Sequence, residues 1–190
     1  MLPHGYKNAI LADKKKQIPS TIIARKIYLT YPTYSFFNKE DIEFKIRNTI
    51  AEEFDIPIYS IQFGGSGKTG ESYHKPSKFK PKYSDLDAGI ISPTLFSKFL
   101  EETVSITNGL TDGTKFGAQD HDDIKTFTRR LSQGILIPEY MPACNLKHDW
   151  LSFFSNLSQM YLNEFKDINC WIYSSQKIYE WKFSKTIDLI

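Results

Sequence analysis

The stretch from Ile58 to Ser92 reads IYSIQFGGSGKTGESYHKPSKFKPKYSDLDAGIIS, and it decides the fold of the chain. It opens with an apolar run, residues 58–63, that is rich in the β-branched and aromatic side chains of strands. Two glycines and a serine at 64–66 break that run, so the backbone must turn sharply there. After a lysine-rich loop, a second apolar run over residues 84–91 predicts the next strand.

The second predicted strand carries two aspartates, Asp85 and Asp87, two positions apart. Residues i and i+2 of a strand point to the same face, so the two carboxylates stand side by side. Leu86 and Ala88 then point the other way, into a core. Two carboxylates this close repel each other unless a cation lies between them, and oxygen ligands suit Mg²⁺. The spacing therefore predicts a metal and nucleotide site.

The two motifs together, Gly64-Gly65-Ser66 and Ser84-Asp85-Leu86-Asp87, resemble the signature of the DNA polymerase β-like nucleotidyltransferase superfamily. The resemblance covers mainly residues 39–100. It implies that the Asp-x-Asp pair binds Mg²⁺ or Mn²⁺ and takes part in catalysis. It also implies nucleotide contacts from the turn and its surroundings, namely Gly64, Gly65, Ser66, Lys68 and Ser84.

Members of that superfamily carry a third carboxylate on a later strand, which completes the site. The corresponding apolar strand here reads Asp167-Ile168-Asn169-Cys170-Trp171-Ile172. Asn169 takes the place of the acid, whereas Asp167 has the same parity and could serve as the third catalytic acid. The alternative is that Asp167 caps the strand and Asn169 makes only a local hydrogen bond.

The function implied by the resemblance is transfer of a nucleoside monophosphate from a nucleoside triphosphate to an acceptor hydroxyl. No residue pattern in the sequence identifies the acceptor as a protein, a nucleic acid or a small molecule. The alternative function is that of a catalytically weakened relative, which binds a nucleotide or a protein partner without chemistry. By analogy alone, such a protein could belong to a toxin–antitoxin or phage-defence pair.

The loop over residues 68–82 carries five lysines, at positions 68, 75, 78, 80 and 82. For each lysine singly, an exposed surface position is the expected role. Together they suggest steering of phosphates toward the proposed site. The run GGSGKT at 64–69 also ends like a P-loop. Gln62 occupies the position of the first P-loop glycine, however, so this likeness is interpreted as a coincidence.

Composition bounds the class of protein. The chain has 190 residues, 41% hydrophobic and 24% charged, with a formal net charge of +2 that does not by itself argue for nucleic acid. We expect one domain, with an N-terminal extension over 1–38 and a core over 39–190. No segment looks like a signal peptide or a membrane span, so a cytoplasmic protein is expected. Cys144 and Cys170 are expected to be free thiols.

The predicted fold class is α/β (α+β): a mixed, twisted sheet of four or five strands with helices mainly on one face. A helix is expected from an Asn38 N-cap, with an apolar stripe that ends at Phe54. Acids at 120–123 are expected to cap another helix. The remaining predicted elements are helices at 6–17, 93–106, 150–165 and 176–190, strands at 135–138 and 167–173, and a strand or helix at 20–29.

Overall fold

The computed structural model describes residues 5–75, 77–116 and 121–190, apart from the side chains of His121 and Asp122. Among these residues lie α-helices and one four-stranded mixed sheet, which confirms the α+β class. The α-helices are α1 Tyr6–Lys15, α2 Ser20–Ala24, α3 Glu40–Phe54, α4 Gly65–Thr69, α5 Pro93–Ile106, α6 His121–Ser132, α7 Asn145–Met160 and α8 Gln176–Ile187. The strands are β1 Ile61–Gly64, β2 Leu86–Ile91, β3 Ile135–Leu136 and β4 Ile168–Tyr173. A π-helix, Arg25–Thr30, continues α2.

The sheet has the strand order β1-β2-β4-β3. Strands β1 and β2 pair antiparallel, β2 and β4 pair parallel, and β3 pairs antiparallel with β4. In this register Asp87 is paired with Gly64 on one side and with Asn169 on the other. The two motifs that are separated in the sequence therefore meet in the middle of the sheet, beside the strand expected to carry the third acid.

One face of the sheet is closed by a large apolar core. Leu86, Ala88 and Ile90 of β2 point into this core together with Ile168, Cys170 and Ile172 of β4. Helices α3, α5 and α7 cover it. The alternation in both strands follows the two-residue period, as the sequence predicts.

The opposite face is covered in part by the N-terminal residues and by α8. Tyr6, Ile10, Ile23, Ile27 and Tyr28 pack there with Tyr173, Tyr179 and Ile187 in a second core. The sequence predicts helices mainly on one face, whereas the structure has them on both. The predicted extension over 1–38 is, over its described part, an integral wall of the fold, because its apolar residues are buried against the sheet.

Several element boundaries differ from the predictions. The first strand begins at Ile61, because residues 58–60 form a 3₁₀ turn. Asn38 is not the N-cap of α3: it has φ of +58°, and Lys39 occupies the cap without a side-chain hydrogen bond. Helix α7 runs from Asn145 to Met160, so it begins and ends five residues earlier than the predicted helix at 150–165. The acids at 120–123 lie largely outside the described residues, so their capping role stays a prediction.

Both cysteines are free thiols, Cys170 buried and Cys144 half-buried at the N-cap of α7. Over the described ranges, no helix is both long and apolar enough to cross a bilayer.

Candidate functional site

A pocket of about 160 Å³ opens on the second face of the sheet, between the strands and α8. Asp87 of β2 and Asn169 of β4 contribute to its floor, with Gly64 and Gly65 at one side. The wall is largely aromatic, and it is formed by Tyr28, Tyr73, Trp171, Tyr173, Tyr179 and Phe183. Polar groups around the opening include Thr69, His74, Lys182 and Thr186. Few polar groups within an apolar wall are typical of ligand sites.

The aromatic wall is held by packing between elements that are distant in sequence. Phe183 stacks on Tyr28 with ring centroids 4.1 Å apart, and it lies 4.7 Å from the Tyr179 ring. The Tyr179 hydroxyl donates a hydrogen bond of 3.1 Å to the Phe63 carbonyl. The π-helix and α8 are thereby joined to the end of β1. These residues are absent from the predicted site, because their sequence signal is only that of ordinary aromatic core.

Gly65 is packed directly against the Asp87 carboxylate. Its φ is +57°, a left-handed conformation that side chains disfavour. A Cβ at this position would lie 2.0 Å from Asp87 Oδ2, which leaves no room for any other residue. The glycine predicted to allow close approach of a ligand therefore also allows close approach of the backbone to the acid.

The Asp87 side chain is reached by solvent through the pocket, although protein surrounds it on most other sides. Burial is the main cause that raises the pKa of Asp87 to about 6, and the nearby Asp85 charge adds to it. The Lys182 ammonium acts in the opposite direction. Asp87 is thus a carboxylate whose charged form is held at a cost, as is common at functional sites.

Asp85 comes immediately before β2 and does not line the pocket. Its Oδ1 is buried and has no hydrogen-bond partner among the described residues. Burial raises the pKa of the Asp85 carboxyl, with Asp167 adding to the rise and Lys166 opposing it. A buried, unpartnered carboxylate oxygen is costly, and a cation would offset that cost.

The candidate third acid lies next to Asp85. The Asp167 carbonyl accepts a 2.8 Å hydrogen bond from the Leu86 amide, so the parallel ladder continues past β4. The Asp167 side chain is 52% exposed, and its carboxylate is 3.7 Å from the Lys166 ammonium. Asn169 is half-buried and stands directly across from Asp87. Asn169 and Asp167 therefore stand as predicted: the Asn169 amide is beside Asp87, and Asp167 lies two residues earlier along the chain.

The predicted nucleotide ligands divide into two groups. Gly64 and Gly65 line the pocket, whereas Ser66, Lys68 and Ser84 do not. Ser66 is half-buried in the single turn of α4. The Ser84 hydroxyl accepts a 2.9 Å hydrogen bond from the Lys80 amide and so closes a turn.

Lys68 differs most from its predicted role. Its side chain is buried, and Nζ donates a 2.6 Å hydrogen bond to the Tyr31 carbonyl. Burial, with a smaller effect of Arg47, lowers the pKa of Lys68 to about 7. The ammonium ties α4 to the N-terminal segment, where it cannot also contact a ligand in the pocket. The other loop lysines, at 75, 78, 80 and 82, are exposed.

The side chains near Asp87 limit how a metal ion could be coordinated. Over the described residues, no three His, Cys, Asp or Glu side chains converge closely enough to hold an ion by themselves. Mg²⁺ is commonly bound through only one or two carboxylates, with phosphates and waters as its other ligands. Asp87 at the pocket and Asp85 with its unpartnered oxygen fit that arrangement. A metal at this place would need further ligands from outside the described residues, such as phosphates or waters.

Comparisons of the chain with protein-family models, with curated proteins and with solved structures gave no match.

Proposed function

We propose that this chain binds a metal-complexed nucleoside triphosphate beside Asp87 and transfers its nucleoside monophosphate to an acceptor hydroxyl. One observation carries the proposal: the strand register, which aligns the Gly64–Gly65 turn, Asp87 and Asn169 in one row. Asp85 and Asp167 lie two residues before Asp87 and Asn169, where the parallel pairing of the two strands continues. A close-approach turn with acids beside it supports phosphoryl transfer, because that reaction depends on positioning and on stabilisation of charge.

Each part of the site has a defined role in this proposal. The backbone of Gly65, free of a Cβ, approaches the phosphates. Asp85 and Asp87 would hold Mg²⁺ or Mn²⁺, which when bound neutralises phosphate charge and polarises the α-phosphorus. Among the wall residues, Tyr28, Tyr179 and Phe183 fit the nucleobase of the triphosphate, because every base presents a flat π-face on which such rings pack.

The transfer step uses Asp167 as the base. The acceptor hydroxyl gives its proton to the Asp167 carboxylate, and its oxygen forms a bond to the α-phosphorus. The bond between that phosphorus and the bridging oxygen of the β-phosphate breaks, and its electron pair leaves with pyrophosphate. Since Asp167 is 52% exposed, it can return the proton to solvent after the transfer.

A second candidate function is nucleotide binding without transfer. It is favoured by one observation, the neutral Asn169 across from Asp87 where a third acid is expected. An asparagine can orient a ligand by hydrogen bonding but cannot accept a proton as a base.

Binding is tested by thermal unfolding with Mg²⁺ and each nucleoside triphosphate. A ligand that binds only the folded state raises the midpoint temperature, because it adds about 2.7 kcal/mol to the free energy of unfolding at a concentration one hundred times Kd. The double variant Asp85→Asn with Asp87→Asn should lose this shift and keep its fold. An unchanged shift in the double variant would place the nucleotide elsewhere.

Transfer is tested with each α-labelled nucleoside triphosphate, Mg²⁺ or Mn²⁺, and lysate fractions as the acceptor source. Asp167→Ala should lower the rate by roughly three or more orders of magnitude if Asp167 is the base. Glu101→Ala, an exposed acid of α5, is the matched control. Asn169→Asp separates the two functions. Transfer that appears only in Asn169→Asp would identify the natural protein as the binder.

A further inference from the structure

Trp171, which lines the pocket, has two cationic side chains near its ring. It follows Asn169 by two positions on β4 and therefore shares its face of the sheet. The Arg130 guanidinium carbon of α6 lies 5.8 Å from the centroid of the Trp171 ring. The Lys182 ammonium of α8 lies 6.0 Å from the same centroid. Three separate elements thus place an aromatic ring and two positive charges together.

The two cations lack acidic partners. Among the described residues, no carboxylate lies within 4.0 Å of either one. Arg130 makes one side-chain hydrogen bond, of 3.3 Å to Gln133, and its Nε is buried without a partner. Lys182 donates no hydrogen bond to any described residue, although it lines the pocket and is only half-exposed. Among the described residues, the N–H donors of Lys182 and those of Arg130 other than the one bound to Gln133 are therefore unused.

The charges of Arg129, Arg130 and Lys182 act on one another. Burial and the neighbouring Arg129 lower the pKa of Arg130. Burial and Arg130 likewise lower the pKa of Lys182, whereas Asp87 raises it. Like charges held close repel each other, and Arg130 lowers the pKa of Lys182 more than Asp87 raises it, so a bound anion would stabilise this arrangement.

The strand order decides which substrate the cluster would meet. Gly64 and Gly65 lie on the β1 side of Asp87, whereas Trp171 lies on β4 and Arg130 on the helix that precedes β3. Asp167, the proposed base, also lies on the β4 side. The proposed phosphate-binding turn and the Trp171 ring therefore lie on opposite sides of Asp87 across the sheet, and Trp171 is on the same strand side as the proposed base.

We propose that Arg130, Trp171 and Lys182 form a subsite for an acceptor that carries both a phosphate and an aromatic base. The two cations bind the phosphate, and the ring stacks on the base. This chemistry belongs to a free nucleotide and to the end of a single nucleic-acid strand. The assignment to an acceptor rests on the proposed transfer function, whereas the phosphate subsite itself does not.

The subsite is tested without metal in the double variant Asp85→Asn with Asp87→Asn. Metal-dependent nucleotide binding is thereby removed, and the measured affinity is that of the subsite. The probes are the four nucleoside monophosphates, the four matching nucleosides and a mixed single-stranded pentanucleotide. Titration calorimetry measures the binding affinity of each probe. Monophosphates should bind at least tenfold more tightly than nucleosides, the scale of one charge-assisted hydrogen bond. Equal binding of nucleosides and monophosphates would overturn the proposal.

Charge-removing variants identify the residues. Arg130→Gln and Lys182→Gln should each weaken monophosphate binding by about tenfold, and Lys182→Arg should retain it. Lys125→Gln and Lys177→Gln, exposed positions on the same two helices, are the matched controls. Circular dichroism checks that each variant is folded. Equal losses in the controls would show a general charge effect and refute the assignment.

Two further measurements distinguish the source of the phosphate. Tighter binding of the pentanucleotide, with a steeper salt dependence, supports a nucleic-acid strand, and preference for the monophosphate supports a free nucleotide. In the transfer assay with the wild-type metal site, Lys182→Gln should raise KM for the acceptor and leave KM for the nucleoside triphosphate unchanged. A raised KM for the triphosphate instead would assign the subsite to the donor and overturn the acceptor role.

Discussion

The two faces of the sheet use the same strands in opposite ways. On the closed face Leu86, Ile90 and Ile172 are fully buried in apolar surroundings. On the open face the alternate positions carry Asp87 and Asn169, and they border a pocket. A single strand therefore gives stability through one set of side chains and a candidate site through the other.

The two faces of the sheet differ in whether their polar and charged groups have partners. Apolar side chains on the closed face have no polar group to satisfy, so close packing is sufficient. Over the described part of the chain, the open face holds the Asp87 carboxylate with its raised pKa, an Asp85 oxygen without a hydrogen-bond partner, and two cations with no carboxylate within 4.0 Å. Such local conflicts in an otherwise consistent fold are expected at functional sites, where stability is sacrificed for binding.

The largest expected effect on stability comes from the closed face. Ile90→Ala should lower the free energy of unfolding by roughly 2–5 kcal/mol, because it leaves a cavity beneath the sheet. Asn169→Ala on the open face should change it by only about 0.5 kcal/mol, since the amide has no hydrogen-bond partner among the described residues. Urea unfolding monitored by circular dichroism measures both. Similar losses for the two variants would contradict the division between the faces.

An intermediate effect is expected at the turn. Gly65→Ala places a β-carbon in a left-handed conformation, which costs about 1–3 kcal/mol, and brings it into collision with Asp87. Gly109→Ala is the matched control, because Gly109 has φ of +71° and nothing within 4 Å of its ideal Cβ. The excess loss at Gly65 should largely disappear when Asp87→Ala is added.

The smallest effect has the opposite sign. Asp87→Asn should stabilise the fold at pH 8 by on the order of 1 kcal/mol, because it removes the cost of ionising this carboxyl in the folded state. Solvent screening makes the gain smaller than the raised pKa alone would give. The folded pKa of about 6 lies above the ordinary value of 3.8, so protonation favours the folded state. The wild-type protein therefore loses stability as pH rises from about 4 to 6. The advantage of Asn should vanish below pH 4, and a variant less stable than wild type at pH 8 would contradict the raised pKa.

Local signals in the sequence were sufficient for much of the fold. Helix α5 runs from Pro93 to Ile106 as predicted, and β2 and β4 follow the alternation read from residues 84–91 and 167–173. These elements were predictable because apolar periodicity and Pro or Gly boundaries act over a few residues. Asn38 was wrong as an N-cap, since cap choice depends on how the preceding turn packs.

The candidate site was only partly predictable. The sequence placed Asp85 and Asp87 together, and the parity of Asp167 and Asn169 followed from the two-residue period of a strand. Lys68 was unpredictable, because no local pattern shows that its ammonium reaches the Tyr31 carbonyl and is buried there. Arg130 and Lys182 look like ordinary surface cations of helices.

By itself, then, the sequence determined the α+β class, the glycine turn and the acids, since each depends on near neighbours along the chain. Only the tertiary structure decided that Asn169 faces Asp87, that Tyr28 and Phe183 wall the pocket, and that two cations flank Trp171. Those contacts join residues up to about 150 positions apart. Contacts of that range arise from strand register and from packing onto a shared sheet, and neither leaves a periodic trace in the sequence.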